Sequence, residues 1–277
     1  MFSLESYQAA RANGGVVRRV DRGVLAVSGA DRASWLQGLL TNDVGALAEN
    51  APVYAAYLTP QGRMITDMFV VSRGDRILLD VPAPLAASLR DRLDGLIFSE
   101  DAQIADESAT LWVWTIVGAD AFREVIADTL PVEFQALPAI DMDTFEVLRI
   151  ERGEPRFLAD MTDETIPLEA GIEDRAISFT KGCYVGQEII VRVTHRGGGR
   201  VAKKLVQWMA DESAEIVPMP EARIFSFDKD VGRVTSSAFS PALNRVVGLG
   251  YVQRDFVDPG TALTIVWKDA RVKVAVR

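Results

Sequence analysis

The sequence predicts an α+β protein in which two α+β halves precede a small antiparallel β-barrel. Three observations predict this class. The chain has 277 residues, so more than one packed unit is expected. Residues 1–199 alternate between strand-like and helix-like apolar patterns, whereas residues 200–277 carry short strand-like runs broken by Pro, Gly and Asp. We therefore expect a first region of residues 1–199 and a barrel domain of residues 200–277.

The chain begins with a predicted hairpin and a helix. The hairpin is expected from two short β-rich runs, residues 16–20 and 23–27, with a turn at residues 21–23. The segment from Ser28 to Leu40 has helical spacing, with Trp35 on its apolar face and Ser28 or Asp31 as candidate caps. This helix ends at the sequence TND.

The rest of the first region repeats the order of strands followed by a helix. Pro82 and Pro84 introduce a helix whose apolar stripe runs from Leu85 to Ile97. Apolar residues at helical spacing predict two further helices, over residues 119–130 and 141–151. The predicted strands of this region are residues 54–58, 64–71, 76–81 and 111–117.

The pattern of predicted elements changes after the triple glycine at residues 197–199. Many short strands separated by turn residues are typical of a small antiparallel barrel. The predicted barrel strands are residues 203–209, 223–227, 231–237, 245–253, 261–267 and 271–276.

Charge and composition exclude several classes of partner. Lys and Arg total 30 against 39 Asp and Glu, giving a net charge of −9. Such a surface repels nucleic acid and anionic membranes, so neither is an expected partner, and any anion site must be a local basic pocket. The N-terminus lacks an apolar signal segment, and the longest apolar run, residues 111–117, is too short to cross a bilayer. We expect a cytoplasmic location.

Cys183 is the only cysteine, which excludes an internal disulfide and a cluster held by four thiolates of this chain. No metal site is predicted. Cys183 lies in the octapeptide KGCYVGQE, Lys181 to Glu188, ahead of a predicted helix over residues 187–196. The Lys181 ammonium and a helix N-terminus would both favour the thiolate, which predicts a reactive sulfur. The alternative is a buried cysteine that acts as a small hydrophobe.

The octapeptide resembles the signature of the YgfZ family, folate-binding proteins of iron–sulfur cluster maturation that are similar to the aminomethyltransferase T-protein of glycine cleavage (GcvT). Four more stretches resemble that superfamily: residues 35–44, 58–67, 148–155 and 231–252. The resemblance implies a GcvT/YgfZ-like fold, with two α+β subdomains followed by the barrel. It also implies a tetrahydrofolate, or a folate derivative, in a central cavity between the halves and the barrel.

The resemblance assigns roles to particular side chains. It implies that Asp67 faces the reactive folate nitrogens and that Glu151 holds the pterin ring, because one carboxylate can accept two parallel hydrogen bonds from a pterin. The residues expected to carry chemistry are Cys183, Lys181 and Asp67. Those expected to bind folate are Glu151, Asp67, Lys181, Tyr184, Arg192 and Arg196. The alternative for Glu151 is a solvated helix end paired with Arg152, and the alternative for the arginines is a solvated face beside a hinge.

The function implied by the resemblance is a tetrahydrofolate-binding accessory protein for iron–sulfur cluster assembly or repair. Its partners would be the assembly machinery or cluster-containing client enzymes. T-proteins lack the cysteine of this octapeptide, so Cys183 favours the assembly branch. The retained Asp67 leaves a folate-dependent one-carbon (aminomethyl-type) transferase as the alternative, and whether the protein turns over a substrate stays open. A third hypothesis is a folate-binding module with an inert cysteine.

Overall fold

The structure is a computed structural model that describes residues 2–45, 47–196, 198–214 and 216–277. The chain forms two compact units made of interleaved segments. Unit 1 combines Met1–Met142 with Glu173–Ile189, and unit 2 combines Asp143–Ile172 with Ile190–Arg277. The boundary expected near residue 200 stays a prediction.

The helices and strands have the following bounds. The helices are α1 (Leu4–Asn13), α2 (Arg32–Leu39), α3 (Ala86–Asp94), α4 (Met142–Arg152), α5 (Pro167–Ala170), α6 (Glu173–Ala176) and α7 (Gln187–Val191), which continues as a π-helix over Arg192–Arg196. The strands before residue 200 are β1 (Gly15–Arg18), β2 (Arg22–Ser28), β3 (Val53–Leu58), β4 (Met64–Arg73), β5 (Arg76–Pro82), β6 (Gln103–Asp106), β7 (Trp112–Val117) and β8 (Phe122–Ala127). The later strands are β9 (Lys203–Ala210), β10 (Arg223–Ser226), β11 (Lys229–Ser240), β12 (Arg245–Gln253), β13 (Ala262–Trp267) and β14 (Ala270–Val276).

Unit 1 contains two antiparallel sheets. One has the strand order β3-β4-β5-β2-β6, and the other has the order β1-β7-β8. The larger sheet packs one face against α2 and α3 through a core that includes Leu36, Met68 and Leu89. Its other face meets the smaller sheet through a second core that includes Leu78 and Val113. The sheet thus has both faces covered, which explains why its strands read as continuous apolar runs.

The predicted hairpin over residues 16–27 is wrong. Strand β1 pairs with β7, whereas β2 pairs with β5 and β6. The turn between them carries the chain from one sheet to the other. The buried guanidinium of Arg19 fixes this turn, since it donates to Thr115 on β7 (3.3 Å) and to Asp21 (2.8 Å).

The predicted helix over residues 119–130 is also wrong, because residues 122–127 form β8. A strand places Glu124 opposite Thr115 of β7, and the Thr115 hydroxyl donates to the Glu124 carboxylate at 2.7 Å. The same carboxylate lies 3.7 Å from the Arg19 guanidinium. Glu124 and Ile126 are both buried, so the period of two decides the structure, while the apolar residues happened to fit a helical spacing as well.

Unit 2 is built around a closed antiparallel barrel with the strand order β10-β11-β12-β9-β14-β13. All six barrel strands were predicted, with bounds that differ by a few residues. The barrel interior is filled by side chains such as Trp208, Val234 and Ile265. The predicted class, α+β with a C-terminal antiparallel barrel, is therefore confirmed. None of the helices in the described residues has the length and apolar character needed to cross a bilayer.

Candidate functional site

In unit 1 the octapeptide Lys181–Glu188 is fastened to the C-terminal end of α2 by its first side chain. The Lys181 Nζ donates to three carbonyl oxygens there: Gln37 (2.7 Å), Leu40 (2.7 Å) and Asn42 (2.9 Å). A cation at this position satisfies carbonyls that the helix leaves open and complements the helix dipole. Burial lowers the pKa of Lys181 to about 8, and the charge of Asp43 opposes that shift. The three ammonium donors are thus directed at backbone oxygens.

The TND sequence that ends α2 holds the segment that leads into the octapeptide. The Thr41 hydroxyl donates to the Ala176 carbonyl at 2.6 Å, and the Ser178 amide donates to the Thr41 carbonyl at 3.0 Å. The Asn42 side-chain amide donates to the Arg175 carbonyl at 2.9 Å. Two motifs that are far apart in sequence therefore form one hydrogen-bonded assembly.

The turn between β3 and β4 also packs on the octapeptide, through two glycines with left-handed backbone angles. Gly186 has φ +85°, and a Cβ built on it would lie 2.6 Å from the Thr59 carbonyl oxygen. Gly62 has φ +76°, and its Cβ would lie 2.9 Å from the Ile189 Cβ. Only glycine allows this close approach without moving the backbone. The stretches 35–44, 58–67 and 181–188 thus meet in one place.

Cys183 is a free, exposed thiol. The alternative of a buried, space-filling cysteine is therefore wrong, while the reactivity of the thiol stays a prediction. The neighbouring Tyr184 is buried, which raises its pKa to about 12, and its ring centroid lies 5.4 Å from the Lys181 Nζ. Helix α7 begins at Gln187, four residues after the cysteine.

Asp67 lies in a buried polar network on the larger sheet of unit 1. Its Oδ1 accepts from the Arg22 Nη1 at 3.0 Å, and its Oδ2 accepts from the Tyr54 hydroxyl at 2.9 Å. The Arg22 Nε donates to Asp80 at 2.5 Å. The strand order β3-β4-β5-β2 explains this grouping, since each of these residues belongs to one of four neighbouring strands.

Tyr54 connects this network to the assembly around the octapeptide. Its carbonyl accepts from the Asn42 side-chain amide at 2.8 Å, and the Arg175 guanidinium lies 4.6 Å from its ring centroid. Burial, followed by the charge of Asp67, holds the Tyr54 pKa well above its ordinary value, so the hydroxyl stays a donor. The predicted residues Asp67, Lys181 and Cys183 therefore belong to one connected part of unit 1.

Glu151 lies at the C-terminal end of α4 in unit 2, where side chains from the barrel hold it. The Ser240 hydroxyl donates to its Oε1 at 2.5 Å. The Gln207 side-chain amide donates to the Ile150 and Glu151 carbonyls at 2.7 and 2.8 Å. Two residues earlier, the buried Arg149 donates to Ser236 of β11 at 2.7 Å. Glu151 is thus a partly buried carboxylate with a partner on the barrel, and its role toward a pterin stays a prediction.

The predicted basic cluster is only partly described. Arg192 is exposed at the start of the π-helical turn. The side chain of Arg196 and the whole of Gly197 lie outside the described residues. Folate binding by the two arginines therefore stays a prediction. No group of three or more His, Cys, Asp or Glu residues within the described ranges is placed to hold a metal ion.

Sequence reasoning missed Arg22, Tyr54, Asp80, Ser240 and Gln207. Asp80 carried a usable signal, because a carboxylate in the middle of the apolar run RILLDVP predicts a buried partner. Arg22 was interpreted as part of a hairpin turn, so its burial could not be foreseen. Ser240 and Gln207 act through long-range contacts that leave no local pattern.

Comparisons with known proteins agree with this architecture. Residues 203–277 match the family model of the glycine cleavage T-protein C-terminal barrel domain. The crystal structure of glycine cleavage system aminomethyltransferase T from Bartonella henselae superposes with a TM-score of 0.83 at 16% identity, covering 99% of this chain and 88% of that chain. This likeness confirms the predicted fold.

Relatives with known sequences extend over most of the chain. An uncharacterized protein of Haemophilus influenzae is 30% identical over 257 residues, covering 85% of this chain and 87% of that protein. The tRNA-modifying protein YgfZ of Hamiltonella defensa is 25% identical, covering 77% of this chain and 75% of its own length. A mitochondrial iron-sulfur cluster assembly factor IBA57 homolog of Pyricularia oryzae is 28% identical, covering 64% and 53%. The chain belongs to the superfamily of YgfZ-like proteins and glycine-cleavage T-proteins.

Proposed function

We propose that this protein is a tetrahydrofolate-binding accessory factor for iron–sulfur cluster assembly or repair, with Cys183 as its reactive group. The exposure of Cys183 on a loop that Lys181 fastens to α2 carries this proposal. An exposed thiol can meet a protein partner, and the fastened loop presents it in one place. The relative from Pyricularia oryzae, which is named as a cluster assembly factor, supports the same direction.

The partner must supply most of the ligands of any cluster. Iron–sulfur clusters are usually held by four thiolates, and this chain has one cysteine. Cys183 can therefore contribute one thiolate bond to iron during a transfer while a second protein holds the rest. Assembly proteins and cluster-containing enzymes are the partners that meet this requirement.

Two carboxylates provide the chemistry that a reduced pterin needs. From the described residues Asp67 accepts one hydrogen bond on each oxygen, and a carboxylate has about four acceptor sites. Asp67 can thus accept a further hydrogen bond from a ring N–H or amino group. Glu151 is also a carboxylate, whose Oε1 accepts from Ser240 and whose backbone carbonyl accepts from Gln207. We propose both carboxylates as acceptors for a folate, with Tyr184, Lys181, Arg192 and Arg196 as further contacts.

A titration with tetrahydrofolate tests the binding part of the proposal. The wild-type protein should bind, and Glu151→Ala and Asp67→Asn should each weaken binding by about tenfold or more, because each removes a charge-assisted acceptor. Glu164→Ala, which changes an exposed carboxylate of the unit that contains Glu151, should bind as the wild type does. Absence of binding to the wild-type protein would remove the folate from the proposal.

Replacement of the thiol tests the assembly part. In cells that lack the endogenous protein, activity of cluster-containing enzymes should recover with the wild-type chain but not with Cys183→Ser. Because Cys183 is exposed, the substitution should leave the melting temperature unchanged. Full recovery with Cys183→Ser would overturn the role of the thiol.

A folate-dependent one-carbon transferase is the second candidate, and the buried carboxylate of Asp67 favours it. The resemblance implies that Asp67 faces the folate nitrogens, as the corresponding acid of T-proteins does. A transfer assay with an aminomethyl donor and tetrahydrofolate distinguishes the two. Turnover that survives Cys183→Ser and is lost in Asp67→Asn would support the transferase.

A further inference from the structure

Unit 1 buries an arginine between two aspartates in the middle of its larger sheet. The side chains of Arg22, Asp67 and Asp80 are 5%, 6% and 2% exposed. Burial of charges is costly, and replacement by apolar residues would often be as stable or more so. Stability alone is therefore a weak explanation for this trio.

The guanidinium of Arg22 makes different contacts with each aspartate. Its Nη1 donates to the Asp67 carboxylate at 3.0 Å, while Nε and Nη2 donate to the Asp80 carboxylate (2.5 Å) and the Asp80 carbonyl (2.8 Å). Burial alone would lower the pKa of Arg22, but the charges of Asp80 and Asp67 raise it above its ordinary value. Arg22 is therefore a permanent cation, fixed on β5 by two bonds, that reaches β4 with a third.

The opposite oxygen of Asp67 is fixed from another strand. The Tyr54 hydroxyl of β3 donates to Oδ2 at 2.9 Å. The Asp67 carboxylate is thus held on both sides, by a cation from β2 and by a neutral donor from β3. A carboxylate held in this way has one orientation, and its remaining acceptor positions have fixed directions.

We propose that Arg22 is the positioning residue of the folate site, and that it orients Asp67 so that the unused acceptor positions of that carboxylate meet the N–H donors of the ligand. Asp80 anchors Arg22, and Tyr54 completes the orientation. This inference rests on the proposed folate function.

An arginine suits this task and a lysine does not. The planar fork of the guanidinium donates in separate directions at once, and here it reaches two carboxylates and a carbonyl on two strands. A lysine ammonium at this position would keep the charge but could not hold the same angles. Arg22→Lys should therefore bind tetrahydrofolate more weakly than the wild type and more tightly than Arg22→Gln.

A double-mutant cycle tests whether Arg22 acts through Asp67. Affinities for tetrahydrofolate are measured for wild type, Arg22→Gln, Asp67→Asn and the double variant. Each single change should weaken binding by about tenfold, and the double variant should be about as weak as Asp67→Asn alone. Arg76→Gln breaks an ion pair with Glu107 on the same sheet and should bind as the wild type does. Additive losses in the double variant would overturn the proposal.

Two further measurements separate a loss of folding from a loss of orientation at Asp67. Arg22→Gln leaves the Asp80 carboxylate buried without its cation. The affinity of the double variant Arg22→Gln/Asp80→Asn is therefore compared with that of Arg22→Gln, at a temperature below the melting transitions of both variants. The carbon-13 resonance of the Asp67 carboxyl is also followed without ligand. It should move in Arg22→Gln and stay in place in Arg76→Gln. If the resonance stays in place in both variants, the proposal fails even if folate binds. If the resonance shifts but the wild-type protein does not bind folate, the proposed function and the assignment of Arg22 to a folate site are both removed. Only the contact between Arg22 and Asp67 then remains.

Discussion

The carbonyl oxygen of Thr59 lies 2.6 Å from the point that a Cβ on Gly186 would occupy. Real Cβ atoms do not approach a backbone oxygen so closely, so the turn that follows β3 and the octapeptide fit together only while residue 186 is a glycine. This contact joins the segment that carries Cys183 to the sheet that carries Asp67.

Gly186→Ala should destabilise the protein by about 2 kcal/mol or more, since it adds a left-handed non-glycine residue to a steric overlap with backbone. Urea denaturation measures the change. Gly182→Ala is the matched control in the same octapeptide. A Cβ at Gly182 meets nothing within 4 Å, so this variant should lie close to the wild type. Equal stabilities of the two variants would contradict the described packing.

Lys181→Met should cost about 1–3 kcal/mol of unfolding free energy, because three partly buried carbonyls lose a charged donor. The variant should also change the rate at which a thiol reagent modifies Cys183, because the loop is no longer fastened to α2. Lys273→Met, at an exposed barrel position, is the control and should alter neither quantity. An unchanged stability in Lys181→Met would show that the three bonds contribute little.

Glu124 predicts a pH dependence of stability. Burial raises its pKa to about 7 from 4.5, the charge of Arg19 opposes this shift, and that of Asp80 adds to it. The folded protein therefore holds a proton between about pH 4.5 and 7 that the unfolded chain has lost. Stability from this group is present at the acid end of the window and is lost as the pH rises, by at most about 1.4 kcal/mol per pH unit.

Glu124→Gln should remove this contribution. Unfolding free energies of the variant should change less between pH 5 and pH 8 than those of the wild type. Glu133→Gln, at an exposed position of the same unit, should keep the wild-type dependence. A parallel pH dependence of wild type and Glu124→Gln would contradict the prediction.

Ser240→Ala should weaken tetrahydrofolate binding by a few-fold, less than Glu151→Ala does. The Ser240 hydroxyl donates to one oxygen of Glu151 at 2.5 Å, so its loss removes one contact that orients the carboxylate but leaves the carboxylate in place. Isothermal titration of the three proteins measures the order. Ser88→Ala removes an exposed hydroxyl that donates to the Leu85 carbonyl at the start of its own helix. This variant should leave tetrahydrofolate binding unchanged. Binding by Ser240→Ala as weak as that of Glu151→Ala would indicate a larger role for the serine.

Much of the fold could be predicted from local patterns. The barrel strands alternate or are bounded by turn residues, and α2, α3 and α4 have clear apolar faces, so all of them were found. Helix α1 and strand β6 were not predicted. The two wrong assignments arose where long-range contacts decide. Residues 122–127 form a strand because β7 lies beside them, and β1 leaves its sequence neighbour because the buried Arg19 turns the chain toward β7.

The candidate site was predictable only as a set of residue types. The octapeptide indicated Lys181 and Cys183. Its pattern predicted that the Lys181 ammonium stabilises the Cys183 thiolate, whereas in the structure the ammonium donates to the carbonyls of residues 37, 40 and 42. Asp67 was found through resemblance. Its partners Arg22 and Tyr54 lie on other strands, and no spacing rule relates residues whose contact depends on strand order.

The interleaving of segments 143–172 and 173–189 has a consequence for synthesis on the ribosome. The strands of the N-terminal sheets can pair early. The segment that carries Cys183, residues 173–189, is synthesised only after residues 143–172, which belong to the other unit. A nascent chain that is released too soon would keep its apolar sheets and lack the means to engage a partner. Neither unit can be isolated by a single cut, so proteolytic fragments should stay associated or lose structure together.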